Sequence, residues 1–554
     1  MNISYQAKWL AFLTLLINAA AMLSPVINGG DSITYAALSQ YIALNNDWAS
    51  LMLDGKDWLD KPHLPFWITA LFFKVGGISA FTYILPGFLF HLIGGYYTYR
   101  IARLFYGRDT AWLSVLVYVS VYHLMDSSIE VKAETYLTAF IMGACYYWLR
   151  YDAQSRIKYL LLGAAFSACA VMTKGVFTLI TISSGLVCMW LYQKQWGKLW
   201  SGKWLLAFAL SLLFTVPEVI ALYVQFDAHP EKLVFGQTQV SGIKFFLWDS
   251  QFGRFFNTGP IKNQDGHVWY FVSVFLWAFL PWVAVFVAAM VSGVRQFWAG
   301  GTAARAHFIF LCGAFFITFL LFSATKFQLD HYTVILFPFA AILCGKFLTE
   351  HLAQSDGGKP LRIAQWVLTI LLAGLSIGLS VRGGNPLVLT VELALLGVLL
   401  GYGYVARQQM RSSVVLVFPV FGIVMLYTFL VLTTAQAFTA YSVAYNANRQ
   451  LAGKAEASIY VYQMDIVARE LGLYQRAPCY AVDDAAQLPT TGRYFLLVRA
   501  EQFVQLRGNL CGVEQVGQGR WVVHKTGTLP KLLRMAQGIE PLEDIRIIEV
   551  GAMR

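Results

Sequence analysis

The feature that most constrains this chain is a succession of apolar runs, each close to the 20 or so residues that a helix needs to cross a bilayer. They fall near 9–28, 79–99, 110–128, 133–149, 159–173, 175–193, 204–226, 268–293, 306–324, 332–350, 363–381, 386–405 and 413–434. Of 554 residues, 58% are hydrophobic and only 13% are charged, a balance foreign to soluble, fibrous or disordered chains. The sequence reads as a polytopic α-helical membrane protein with about thirteen spans. The net charge of +11 is then a matter of membrane topology, and no nucleic-acid partner is expected. The start, Lys8 followed by apolar residues to Ile27, has no small-residue cleavage site after it and is read as an uncleaved first span.

With the N-terminus in the cytoplasm, basic residues such as Arg100, Arg103, Arg150, Arg156, Lys194, Lys198, Arg407 and Arg411 fall on short inner turns, as the positive-inside rule asks. The opposite face then carries two long loops, 29–65 and 227–267, and the whole of 435–554. In the first loop Tyr35, Leu38, Tyr41 and Ile42 form an amphipathic pattern, followed by Pro62-His63-Leu64-Pro65 and apolar residues to Phe73. These predict interfacial helices over 29–78. The division expected is a transmembrane unit, 1–434, and a small α/β domain, 435–554. Strands are predicted at Ile459–Tyr462, Cys479–Val482 and Arg493–Val498, then a pair of strands ending at Trp521-Val522-Val523-His524, with helices at Ile466–Leu471 and through Leu506. The glycine-rich stretch Gly512 to Gly519 precedes no helix and makes a poor phosphate cradle.

Five of seven cysteines sit in apolar runs as small core residues. Cys479 and Cys511 stand in the polar tail, where they could form a disulfide if that region faces an oxidising compartment.

Charges beside a bilayer are costly and usually have a task, so the outer ends of the spans hold the candidates. Asp31 follows the first span; its plain alternative is a helix N-cap. Lys61, in Asp57-Trp58-Leu59-Asp60-Lys61-Pro62-His63, could merely snorkel, but the flanking prolines shape the segment, and a lysine at headgroup depth binds phosphate as a point charge. Glu134 opens a span, where a carboxylate also complements the helix dipole. At Lys326-Phe327-Gln328-Leu329-Asp330-His331-Tyr332, Asp330 could neutralise Lys326 or orient His331. Arg254 and His267 lie in the fourth outer loop, and Arg254 could fork onto a phosphate. Carboxylates and cations on one face suit transfer of a group from a lipid phosphate, with the cations holding the leaving phosphate and a carboxylate taking the acceptor's proton. A transporter would more naturally show inverted repeats and mid-bilayer charges.

An Asp after the first span, an acidic-Lys-Pro motif (Asp60-Lys61-Pro62), a carboxylate opening the fourth span, and Lys326, Tyr332 and Pro338 ahead of a late span together resemble the GT-C glycosyltransferases. Within them the chain looks most like the bacterial aminoarabinose transferases that modify lipid A, and more distantly the protein O-mannosyltransferases. The resemblance implies a GT-C fold with a periplasmic α/β tail in the bacterial inner membrane, its active site facing the periplasm. It implies transfer of a sugar, with inversion, from a polyprenyl (undecaprenyl) phosphate donor to lipid A or another envelope glycan. It gives Asp31 and Glu134 catalytic roles, Lys61 and Arg254 the donor phosphate, and Asp60, Lys326, His331, Tyr332 and His267 substrate contacts. Here Ser32 stands where the family has Glu, and Glu134 where it has Asp, so the acceptor can differ. Some relatives associate a divalent metal with the loop carboxylate; Asp60 and Asp249 are the candidates here, a poor soft-metal pair, and no required metal is expected. The alternatives are a protein O-glycosyltransferase and a non-catalytic lipid flippase or transporter.

Overall fold

A computed structural model describes residues 3–27, 29–299, 301–353, 359–405, 410–454, 457–475, 477–523, 529–537 and 541–551. Arg407 and His524, named above, lie outside the described residues. The chain is mostly helical up to Leu451 and mixed α/β beyond it. Among the described residues, eight helices are long and apolar enough to cross a membrane, nine if one bent pair counts as a single span.

Of the other expected spans, 79–99 and 133–149 are continuous helices, Ala80–Tyr106 and Ala133–Gln154, that fall outside this apolar set, and the rest are short or broken. The third stops at Val119 and restarts at Tyr122, with Ser120 turned to bond the Leu116 carbonyl and to accept from Trp282 Nε1 at 2.9 Å. The eighth is split into Tyr270–Ala278 and Val283–Trp298, bent by 112° around Pro281, which has no N–H to continue a helical ladder. The helix Thr178–Tyr192 has only 15 residues.

The first outer loop is ordered. Gly29, at φ 86°, turns the chain from the first span into the helix Gly30–Asn45, a backbone conformation costly for any residue with a Cβ. A short hairpin follows, β1 (Met52–Leu53) and β2 (Lys56–Asp57), closed by Asp54-Gly55, both at positive φ, as a two-residue hairpin turn requires. Pro65 then sits in the first turn of the helix Leu64–Gly76, where its missing N–H costs nothing.

The tail is a five-stranded sheet of β3 (Ile459–Tyr462), β4 (Cys479–Val482), β5 (Tyr494–Arg499), β6 (Glu514–Trp521) and β7 (Glu543–Val550), in the order β4-β3-β5-β7-β6. The first three strands run parallel, and β7 and β6 are antiparallel additions. Phe495 and Leu497 of β5 face one apolar cluster while Tyr494, Leu496 and Val498 face another, so both faces of the sheet are covered. The stretch Gly512 to Gly519 runs into β6 instead of forming a loop between strands, and β7 was not foreseen.

Candidate active site

The site begins with a carboxylate shared by two cations. Asp60, in the segment between β2 and the Leu64–Gly76 helix, pairs with Lys61 Nζ at 3.0 Å and with the Arg254 guanidinium. Arg254 also donates to the Asp60 carbonyl at 3.1 Å. It reaches in from the helix Ser250–Phe256, 194 residues away. Burial works against the Asp60 charge, yet Lys61 and Arg254 hold its carboxyl below the ordinary value. Burial, and then the neighbouring Arg254, push Lys61 down to about 8, so this lysine holds its proton less firmly than an exposed one.

A second pair lies beside the first. Glu134, in the first turn of the helix Ala133–Gln154, bonds Lys174, the last residue of the neighbouring helix Ile157–Lys174. The carboxylate thus sits at a helix N-terminus and the ammonium at a C-terminus, each the favourable end for its charge. Gly175, at φ 117°, ends the second helix there. Lys174 Nζ also stands 4.2 Å from the Tyr332 ring centroid, a cation–π distance. His331 lies between two carboxylates, with Nε2 3.8 Å from Glu134 and Nδ1 3.1 Å from Asp330.

Lys61, Arg254 and Lys174 therefore face Asp60 and Glu134, which leaves one positive charge beyond what the two carboxylates neutralise. Arg254, Lys174 and Tyr332 form the polar end of a cavity of about 440 Å³ whose remaining walls include Phe177, Phe256, Leu321 and Phe322. An apolar cleft closed by cations at one end fits a lipid with an anionic head.

Asp31 occupies the first turn of the Gly30–Asn45 helix, exposed, with Gly29 and not Asp31 as the N-cap. It has no hydrogen bond or ion pair among the described residues. Its charge acts on Tyr35 and Tyr332, the two tyrosines that also neighbour Arg254 electrostatically. Among the described residues Asp31 makes no direct contact with Lys61 or Arg254.

Other expected residues fall elsewhere. Lys326 is 57% exposed and pairs with Asp265 at 3.7 Å. Asp330 does not neutralise it, because it is engaged by the His331 backbone at 2.7 Å and ring. His267 is exposed, its backbone N–H bonded to Gln328. Asp249 lies 3.8 Å from Lys244, so the two metal candidates have separate cationic partners, and no three His, Cys, Asp or Glu residues converge on a metal position among the described residues. The proposed disulfide is corrected: Cys479 and Cys511 are both free. Cys479 lies on the edge strand β4, whereas Cys511 precedes β6 at the other edge of the sheet.

Two features went unforeseen. Lys174 is a single charge between two adjacent apolar runs, and that isolation was the available signal. His63 and Glu218 form a buried pair, 1% and 0% exposed, with Nδ1 2.9 Å from the carboxylate, which also accepts the His63 backbone N–H at 3.0 Å; Nε2 faces the Ala49 carbonyl at 3.1 Å. Periodicity carries no trace of it, because Glu218 sits inside an apolar helix.

With this arrangement in view, the chain is a multi-pass membrane protein with the GT-C fold. It aligns at TM-score 0.72 and 17% identity, over 99% of its own length and 98% of the other chain, with the crystal structure of ArnT from Cupriavidus metallidurans bound to undecaprenyl phosphate. Residues 60–220 match the profile of a family described as dolichyl-phosphate-mannose-protein mannosyltransferase. In sequence the chain resembles bacterial proteins named undecaprenyl phosphate-alpha-4-amino-4-deoxy-L-arabinose arabinosyl transferase: 26% identity over 64% of this chain and 62% of the Edwardsiella ictaluri protein, and 25% over 60% and 58% for Pseudomonas paraeruginosa. The matched region thus spans about three-fifths of the length of these relatives.

Proposed function

We propose that the protein is an inverting glycosyltransferase that takes a sugar from a polyprenyl phosphate, of the undecaprenyl type, and attaches it to lipid A or another envelope glycan. The observation that carries this reading is the set of three cations, Lys61, Arg254 and Lys174, that shares two carboxylates, with Arg254 and Lys174 also lining an apolar cavity. A lipid phosphate supplies the missing negative charge, and its chain takes the apolar walls. The names of the similar proteins support the donor class.

In the step proposed, an acceptor hydroxyl attacks the anomeric carbon, the bond from that carbon to the phosphate oxygen breaks, and the electron pair leaves on the phosphate. Lys61, Arg254 and Lys174 stabilise that leaving group. Asp31, exposed and unpaired, takes the hydroxyl proton. Glu134 holds Lys174 in place and lies toward the sugar. We place the site at the periplasmic face of the inner membrane, within about thirteen spans over 1–434, and the sheet of 435–554 on the same side.

The test is transfer in proteoliposomes with an undecaprenyl-phosphate sugar, together with mass spectrometry of lipid A and envelope glycans from a deletion strain. Release of undecaprenyl phosphate coupled to a sugar missing from the deletion strain's lipid A supports the reading. Movement of the donor without cleavage makes the protein a flippase, and transfer to Ser/Thr peptides alone makes it a protein glycosyltransferase.

A further inference from the structure

The tail domain meets the transmembrane unit in more than one place: Val522 and Met535 pack with Val26, Ala437 and Phe438, and Gln537 donates to the Arg382 carbonyl at 2.6 Å. One of these contacts, made by the helix Asp465–Gly472 and the two residues after it, falls on the segment that carries Asp31. Within the Asp31 helix, Gln40 Nε2 donates to the Gly472 carbonyl at 2.7 Å. Beyond the helix, Arg469 Nε and Nη2 both donate to Asp54 Oδ2, at 2.8 and 2.5 Å, on the hairpin tip. Leu473, next to the Gly472 anchor, is buried in the apolar core of the membrane unit, in the same cluster as Ile27. The grip is therefore apolar at Ile27, before Asp31, and two polar contacts after Asp31 set its register.

We propose that the tail is a positioning element for Asp31: residues 469–474 clamp the chain at Ile27, Gln40 and Asp54, and so fix where the first turn of the Asp31 helix stands beside the cation cluster. This rests on the reading of Asp31 as the base. The cations of the phosphate site are held by other partners, Asp60 and Glu134, so loosening the clamp affects the proton-taking side of the site and spares the phosphate side. Reactions that depend on one placed carboxylate are sensitive to displacements of an ångström or less.

The full-length protein in nanodiscs provides the test, with Arg469→Gln and Gln40→Ala as separate loosening variants and Arg469→Lys as the conservative one. Three quantities are read: kcat for sugar transfer, affinity for undecaprenyl phosphate, and the mobility of a spin label at Asp31→Cys in a background lacking Cys479 and Cys511. The result expected for Arg469→Gln and Gln40→Ala is a kcat lowered about tenfold, phosphate affinity within about twofold, and a more mobile label, with Arg469→Lys close to the parent protein. An unchanged label in both loosening variants, or phosphate affinity falling as far as kcat, overturns the proposal. A label that loosens in a protein that transfers no sugar keeps the clamp and removes the glycosyltransferase reading, so the two failures are told apart.

Discussion

Glu134 and Lys174 form an ion pair between the N-terminus of one helix and the C-terminus of its neighbour, with only 2% and 5% of the two side chains exposed. Removing one partner leaves the other charge buried and unpaired, whereas replacing both with neutral side chains of similar size removes the problem. Lys174→Ala should therefore cost about 3–5 kcal/mol, and the double variant Glu134→Gln/Lys174→Met should recover most of that stability while recovering no transfer. Thermal unfolding in detergent beside an activity assay checks both halves. A double variant that is active would show that the pair only holds the helices together.

The lysine of the phosphate site makes donor binding depend on pH. Lys61 is lowered from 10.5 to about 8 by burial and by Arg254. As pH rises through about 8 the folded protein loses this proton while the unfolded chain still holds it, so folding becomes more favourable up to the ordinary lysine value. The empty site loses a positive charge over the same range, and affinity for undecaprenyl phosphate should fall above pH 8. Titration calorimetry from pH 7 to about 9.5 should show that fall in the parent protein and a flatter profile in Lys61→Arg.

Asp31 has no other partner to satisfy, so Asp31→Asn should leave folding and lipid binding intact and lower kcat by about 10²–10⁴. Parent-like turnover in that variant would assign the proton to another group.

The His63 and Glu218 pair anchors the loop two residues beyond Lys61. Glu218→Ala orphans two buried donors, the His63 backbone N–H and its Nδ1, at about 1–3 kcal/mol each, and should weaken phosphate binding because Lys61 is no longer held in register. A drop in melting temperature with unchanged phosphate affinity would confine the pair to stability.

The two tail cysteines should react as thiols in unreduced protein. Cys511 is exposed and should label quickly with maleimide. Cys479 should label slowly, since burial pushes its thiol up to about 12. Labelling of either one only after reduction would restore the disulfide.

Much of this was legible in the chain itself. Apolar runs of bilayer length define a membrane protein, because hydrocarbon admits backbone only when it is internally hydrogen-bonded. The short alternating strands Ile459–Tyr462 and Cys479–Val482 were visible for the same kind of reason, a local period that the sheet reproduces. Asp31, Lys61, Glu134 and Arg254 stood out because charge at a bilayer is expensive. Which charge meets which could not be read. Arg254 finds Asp60 from 194 residues away, Lys174 finds Glu134 across 40, and Glu218 reaches His63 across 155. Such pairings depend on helix packing and on where each helix ends, not on any local period. At Asp330 the sequence left two partners open, Lys326 and His331, and packing chose His331. Chain order set out the apolar runs and the isolated charges between them; packing decided that three cations would share two carboxylates and that two of those cations would line an apolar cavity.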